Sequence, residues 1–493
     1  MVRAVVWSPQ SQSGTIGLRM RPIELSERLG RWSSGRGPLY VLLAARMRRL
    51  IDDGDLPPGA LLPPDRALAA ALAVGRTTVV AAYELLRSEG RIVRRRGSGT
   101  RVAGISSSGA VEDAPVDPIF LDSLESRDDD VLLAICAAPG DPPPQVAEAY
   151  ARILPLLGEI SGDIGYYPYG HPALREAIAT RYAGQGVPTT PDQILVTNGG
   201  QQALSLLAHA LLSPGDQVLV EAPTYPGALE AFREEAAVLR GLPVGLDGFE
   251  AAVRERRPGL AYVIPTYQNP TGSVLPALVR ERLARAAAAA GVPLIEDEVP
   301  ADLGFPGTTR PVPMATFGDA VISLGSLSKS VWGGLRIGWI RSPAPLTNRL
   351  ARIRAVHDLG GNVPAQLAAA HLIAELDDLD LPTELKSRHD HLQAQLAEHL
   401  PSWHVPTVQG GQTLWVRLPE GDGNSFAQTA MRHGIAVLPG SGLDVTGSSE
   451  SYVRLHFRAR PDELTEAVDR LTAAWQAYHP PTDRVPPRPA IAI

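Results

Sequence analysis

"SLGSLSKSVWGGLRIGW", residues 323–339, sets one lysine, Lys329, among small polar residues and glycines. The chain has only one other lysine, Lys386, so 44 of its 46 Lys and Arg residues are arginine. A surface cation can be either residue. A guanidinium, however, stays protonated, whereas a lysine amine can lose its proton and condense with a carbonyl. The plain alternative for Lys329 is a surface or phosphate-facing cation, and the surroundings decide between the two.

The stretch begins inside one short apolar run, "AVISLGS", and ends inside another, "RIGWIR". Similar runs recur upstream as "QILVTN", "QVLVEAP", "LAYVIP" and "PLIEDE". Each ends in turn or polar residues, and helical patterns separate most of them. From about 131 to 479 this alternation predicts an α/β fold, a mostly parallel sheet with helical crossovers. Past about 400, "QTLWVRLP" and "YVRLHFRA" predict a smaller α+β subdomain. The end, 480–493, is rich in proline and reads as a disordered tail.

A different unit precedes this one. Residues 1–21 lack a clear pattern, and "PIELSERLGRW" reads as a short helix. From 36 to 104 the order is helix ("LYVLLAARMRRLIDDG"), proline-rich turn, helix ("RALAAALAV", with Asp65 as its cap), a break at Gly75, helix ("RTTVVAAYELLRSEG") and an arginine-rich hairpin around Gly97. That is the order of a winged helix-turn-helix, whose second motif helix reads bases with its first residues. Those are Arg76, Thr77 and Thr78; Arg pairs bidentately with guanine, and Thr contacts phosphate or a thymine methyl. Arg94, Arg95 and Arg96 lead into the wing tip, within reach of phosphate. Residues 105–130 are polar and acidic and read as a linker.

Charge supports the division. Residues 36–104 hold twelve Arg and six acidic residues, a balance of +6, which leaves −13 for the rest of a chain of net charge −7. A basic segment on an acidic body points to a polyanion as partner of that segment alone, and the helix-turn-helix order makes double-stranded DNA the expected one. Its single cysteine, Cys136, excludes an intrachain disulfide framework, and no Cys/His spacing points to a metal site. No apolar run reaches transmembrane length and no secretory signal is evident, so a cytoplasmic protein without membrane contact is expected.

The candidate chemistry lies around Lys329. Asp297 closes the run "IED" and is placed to pair with a protonated pyridine nitrogen, the electron sink of pyridoxal 5′-phosphate. "TNGGQQALSLLA" follows a strand with two glycines and opens a helix, where free N–H groups hold phosphate. Ser326 and Arg336 flank the lysine as further phosphate contacts. Tyr225 in "APTYPG" offers a flat face for a ring, and Asn269 in "PTYQNPTG" a donor to a phenolic oxygen.

In this order the motifs resemble the fold type I, aspartate aminotransferase-like, pyridoxal phosphate enzymes over about 350 residues. The resemblance implies that Lys329 is the Schiff-base lysine, Asp297 the pyridine partner, Asn269 the contact of the ring hydroxyl and Tyr225 the stacking ring. Gly199, Gly200, Gln201, Ser326 and Arg336 would surround the phosphate. Arg454 in "YVRLHF" would grip an effector α-carboxylate, and Tyr166 in "YYPYG" would reach a partner subunit's phosphate. The family's tyrosine two or three residues after the aspartate is replaced here by Val299 and Pro300, which argues for little turnover.

Residues 36–104 resemble the GntR-type winged helix through "LPP…RALA…RTTV…AY…L…EG…GSGT". This resemblance implies DNA contacts by Arg66, Arg76, Thr77 and Gly97; Gly75 and Val80 depart from the usual serine and arginine. End to end the chain resembles the MocR/GabR-type transcriptional regulators. That likeness implies a head-to-tail homodimer and an amino compound or pyridoxal phosphate as effector, sensed through an aldimine on Lys329. An aminotransferase with an accessory winged helix is the alternative.

Overall fold

The computed structural model describes residues 20–29, 32, 38–52, 55–57, 59–95, 99–103, 132, 142–158, 164–376 and 380–480. The chain divides into two compact units, Met1–Asp117 and Pro118–Ile493. The linker expected over 105–130 and the tail past 480 lie outside the described residues, as do Arg96 and Gly97 of the wing tip.

In the first unit, helices Pro22–Leu29, Leu39–Asp52, Asp65–Leu72 and Arg76–Ser88 precede an antiparallel hairpin of β1 (Ile92–Arg95) and β2 (Gly99–Val102). The third and fourth helices meet at 119°, the range of a helix-turn-helix. Leu43, Met47, Leu50, Leu68, Val79 and Leu86 are buried in one cluster, and the Tyr83 hydroxyl fastens the fourth helix to the Pro63 carbonyl at 2.9 Å.

Two local expectations are corrected. Asp65 is not the cap of the third helix: Pro64 takes the cap position, extended at φ −56°, and Asp65 is the first helical residue. Its carboxylate turns instead to the Arg66 N–H and to Arg76. Nor does Gly75 end that helix. Ala73 does so in the left-handed region at φ 53°, and Gly75 is the extended residue before the next helix.

The second unit is built on a seven-stranded sheet. Its strands are β3 (Ile194–Thr197), β4 (Gln217–Ala222), β5 (Val238–Pro243), β6 (Leu260–Val263), β7 (Leu294–Asp297), β8 (Val321–Ser326) and β9 (Gly338–Arg341), in the order β3-β9-β8-β7-β6-β4-β5. Strand β9 alone runs against the direction shared by the other six. Successive side chains of a strand point to opposite faces. Accordingly Leu219, Ala261, Val263 and Leu294 enter one core, while Val218, Val220, Tyr262 and Ile295 enter the other. Burial on both faces explains the unbroken apolar runs in the sequence. Strand β5 was not expected: Arg240 and Gly241 interrupt "VLRGLP", which lies half-buried at the sheet edge.

Strands β10 (Thr413–Arg417), β11 (Leu438–Pro439) and β12 (Tyr452–His456) form a second, antiparallel sheet ordered β10-β12-β11. Helices Leu381–His399 and Pro461–Ala477 share a separate core with it, with Leu392, Leu396, Val416, Phe426, Leu464 and Leu471 buried. Among the described residues no single helix is long and apolar enough to cross a membrane.

Candidate functional site

The expected site residues of the second unit leave the sheet at one edge. Gly199–Gln201 follow β3, Tyr225 follows β4, Asn269 follows β6, Asp297 ends β7, and Ser326 and Lys329 end and follow β8. All five strands run in one direction, so these segments converge at their C-terminal ends, where open α/β sheets bind ligands.

Lys329 lies on a single π-helical turn, Ser328–Trp332, directly after β8. Burial, then the guanidiniums of Arg458, Arg454 and Arg336, lower its amine to about 8 from the usual 10.5 of a lysine. The neutral, nucleophilic form is therefore far more populated near neutral pH than in an ordinary lysine, about a tenth of the amine at pH 7.

Asp297 is 5% exposed. Its Oδ2 accepts from the Tyr262 hydroxyl at 2.6 Å, and its Oδ1 from the Val299 N–H at 2.9 Å. Burial raises the carboxyl to about 6, Tyr262 and the Val299 N–H pull it back, and Glu298 pushes it up again. The group is thus ionised at neutral pH yet inside the protein, as a partner for a buried cation.

Asn269 accepts from Arg454 Nη1 at 3.4 Å through Oδ1, which leaves its amide N–H₂ to donate. Arg454 stands on β12, so this contact brings the small sheet to the edge of the large one. The Tyr225 hydroxyl donates to Gln201 Oε1 at 3.2 Å, and Gln201 Nε2 donates to the Gly227 carbonyl at 2.7 Å. The Gln201 side chain therefore fixes the Tyr225 ring, and only its backbone N–H remains for an anion.

Gly199 takes φ +86° immediately before helix Gly200–Leu211. A Cβ there would lie 2.6 Å from Arg336 Nη2. Arg336 is itself left-handed at φ 53°, and its Nη2 donates to the Asn198 carbonyl at 2.8 Å. A non-glycine residue in that region costs about 1–3 kcal/mol and is typical of functional sites. Ser326 is buried, with its Oγ 2.9 Å from the Ile337 carbonyl and 2.8 Å from Ser328 Oγ. Tyr166 is 59% exposed.

The sequence reading missed three groups. Tyr262 meets Asp297 from the adjacent strand, a pairing with no signal in the chain. His456 and Arg458 follow Arg454 at alternate positions. His456 is 3% exposed, and burial and the charges of Arg454, Lys329 and Arg458 keep its imidazole neutral. The Arg458 guanidinium rests on the Lys329 carbonyl. The polar-apolar alternation of "RLHFR" carried that signal.

The donor set fits pyridoxal 5′-phosphate, with an amine for its aldehyde, a buried carboxylate for its pyridine nitrogen, a ring to stack and an amide donor for its hydroxyl. A helix start bare of Cβ atoms, beside Arg336, suits its phosphate. Among the described residues no His/Cys/Asp/Glu cluster is arranged for a metal.

In the first unit, Arg66, Arg76, Thr77 and Arg94 are exposed and Thr78 is half-buried. Arg76 Nε donates to Asp65 Oδ2 at 2.9 Å while its side chain stays 54% exposed. The Arg94 charge also acts on Asp65, so the wing and the start of the recognition helix share one basic face. Arg95 ends β1.

Residues 128–471 match the family of aminotransferases of class I and II, and residues 39–102 match the bacterial regulatory proteins of the gntR family. The chain is 30% identical to an uncharacterised HTH-type transcriptional regulator, YdcR of Escherichia coli, over 81% of this chain and 91% of the relative. It is 31% identical to the probable rhizopine catabolism regulatory protein MocR of Rhizobium meliloti, over 74% of this chain and 78% of that protein. Among solved structures, LysN, the α-aminoadipate aminotransferase of Thermus thermophilus, superposes with a TM-score of 0.65 at 27% identity, over 73% of this chain and 94% of that one.

Proposed function

The chain belongs to the aminotransferase class I and II family, with a gntR-family module ahead of that domain, and from this premise we propose a DNA-binding transcriptional regulator that senses a small amino compound, or pyridoxal phosphate itself, through Lys329. The observation that carries this reading is the joining of two complete devices in one chain. One is a helix-turn-helix with Arg66, Arg76 and Arg94 exposed. The other is a strand-end lysine whose amine is held near 8.

The fold family typically binds pyridoxal 5′-phosphate. Lys329, Asp297, Asn269, Tyr225 and the backbone at Gly199 and Gly200 with Arg336 would hold it here. When bound, the cofactor supplies an aldehyde that exchanges between amines and a ring that withdraws electrons. The protein's share is to make Lys329 easier to deprotonate, to hold Asp297 ionised through Tyr262, and to orient Asn269 through Arg454. Arg454 suits the carboxylate of an amino-acid effector, since a guanidinium matches that group bidentately. Exposed Tyr166 supports a head-to-tail homodimer in which it meets the partner subunit's site.

An effector shifts DNA affinity only if it binds two states of the assembly differently. The test is fluorescence anisotropy of the full chain on duplexes selected from a random library, with and without pyridoxal phosphate and a panel of amino acids. The regulator reading expects one amino compound to change affinity while keto-acid release stays below a few turnovers. Sustained turnover at about 1 per second or more, with no effect on DNA, would establish the aminotransferase instead. The likeness to LysN favours that second reading. Against it, Val299 and Pro300 provide no phenol after Asp297, and Val299 packs against Gly200.

A further inference from the structure

Behind the lysine turn lies a cavity of about 800 Å³, within the size range of small-molecule sites. Its walls include Gln145, Ser330, Val331, Arg388, Arg458 and Arg460. Lys329, Asp297, Asn269 and Arg454 do not line it.

The charges along its walls are unevenly satisfied. Arg388 pairs with Glu384, and Arg460 lies 3.6 Å from Glu463. Arg458 has no carboxylate within ion-pair distance among the described residues. Its guanidinium touches the Lys329 carbonyl, and Arg388 donates to its own carbonyl. Burial, then the neighbouring Arg388 charge, bring Arg458 down to about 10, with Glu384 opposing. Ser330 is 3% exposed, and its Oγ has no hydrogen-bond partner among the described residues; neither has Gln145 Oε1. Desolvated charges and hydroxyls are ordinarily paired. A cation without a carboxylate partner and a hydroxyl without a hydrogen-bond partner, both on the wall of a ligand-sized cavity, suit an anion.

Its class follows from the other walls. Of the three lining guanidiniums, Arg388 and Arg460 have carboxylate partners in Glu384 and Glu463, which leaves Arg458 as the single charge that a monoanion would meet, with Asp380 the third acid of the lining. A phosphate dianion would overshoot and meet the three acids. We propose that this cavity is a second ligand site, which takes the carboxylate of a small organic acid or amino acid on Arg458 and Arg388, with Ser330 donating to it.

The site is wired to Lys329 whether or not a cofactor is present. Arg458 holds the lysine's carbonyl, and its charge is foremost among those that repel the lysine's ammonium. A carboxylate on Arg458 offsets that repulsion and makes Lys329 easier to protonate.

The test uses the full-length chain without cofactor, titrated calorimetrically at pH 7 with 4-methylpentanoate, which has no amine and cannot condense. Saturable binding is expected, weakened about 10-fold or more by Arg458→Gln and about 3-fold by Ser330→Ala. Arg454→Gln is expected to leave it within about 2-fold, because that residue serves the other site. Ser330→Ala keeps the test decisive if Arg458→Gln does not fold. Three outcomes would each overturn the proposal: no saturable binding, loss in Arg454→Gln but not in Arg458→Gln, or inorganic phosphate binding more tightly than the carboxylate.

Discussion

The Tyr262 hydroxyl donates to Asp297 Oδ2 across 2.6 Å, from one buried parallel strand to the next. A hydrogen bond to a buried carboxylate favours its charged form, so Tyr262 helps keep Asp297 ionised. Tyr262→Phe preserves the ring that packs edge-on against Phe232 at 5.7 Å and removes only the donor. The Asp297 carboxyl is expected to ionise at higher pH, and pyridoxal phosphate affinity at pH 7 to fall about 10-fold. Absorbance titrations of the cofactor at several pH values measure both; an unchanged pH dependence would remove Tyr262 from its role.

Asp297 itself lowers stability when no cofactor is bound. Its carboxyl is raised from 3.8 to about 6, so the folded chain holds a proton that the unfolded chain releases between those values. Stability from this group is present below about 4 and lost as pH rises through 6. The cost at pH 7 is about 3 kcal/mol. Asp297→Asn is expected to stabilise the cofactor-free chain by about 1–3 kcal/mol at pH 7, with the gain shrinking towards pH 4. Urea unfolding across that range measures it.

The proposed reading puts the covalent chemistry on Lys329 and not on Lys386, which is a cation on a helix paired with Asp390. Borohydride fixation of pyridoxal phosphate is expected to vanish in Lys329→Ala and to persist in Lys386→Ala. In the native chain, fixation should rise with pH around a midpoint near 8, because only the neutral amine reacts. Arg454→Gln removes one repelling cation and should move that midpoint upward. A midpoint above 10 in the native chain would refute the environment assigned to Lys329.

Asp65 and Arg76 act as a pair in the first unit. Arg76→Ala is expected to cost about 1–3 kcal/mol of specific DNA binding. Asp65→Asn leaves the guanidinium but loosens it, and should relax base preference with a smaller loss, about 0.5–1 kcal/mol. Arg94→Ala should weaken all sequences alike and lower the salt slope by about 1. Binding of selected and scrambled duplexes at several salt concentrations separates these effects.

The two-unit order, the parallel sheet and the loops bearing Lys329, Asp297, Asn269 and Tyr225 were legible in the chain. Each depends on a local pattern: an apolar run of strand length, a glycine pair before a helix, an arginine at a helix start. Strand β5 was not legible, because an edge strand buries half its surface and tolerates Arg240 and Gly241. The cap assigned to Asp65 failed for another reason. Pro64 takes the cap position and Asp65 is already helical, and its Oδ2 accepts from Arg76, eleven residues on in the next helix, a tertiary contact.

By itself the sequence determined which candidate groups stand at which strand ends, because side-chain type and periodicity are properties of neighbouring residues. Tertiary structure alone decided their protonation and partners. Tyr262 reaches Asp297 only once β6 lies beside β7. Arg454 reaches Asn269 only once the small sheet meets the large one. Arg458 depresses the Lys329 amine only because both are drawn out of water together. Desolvation and the charge felt through a protein interior depend on what surrounds a group in space, and no pattern along the chain encodes that directly.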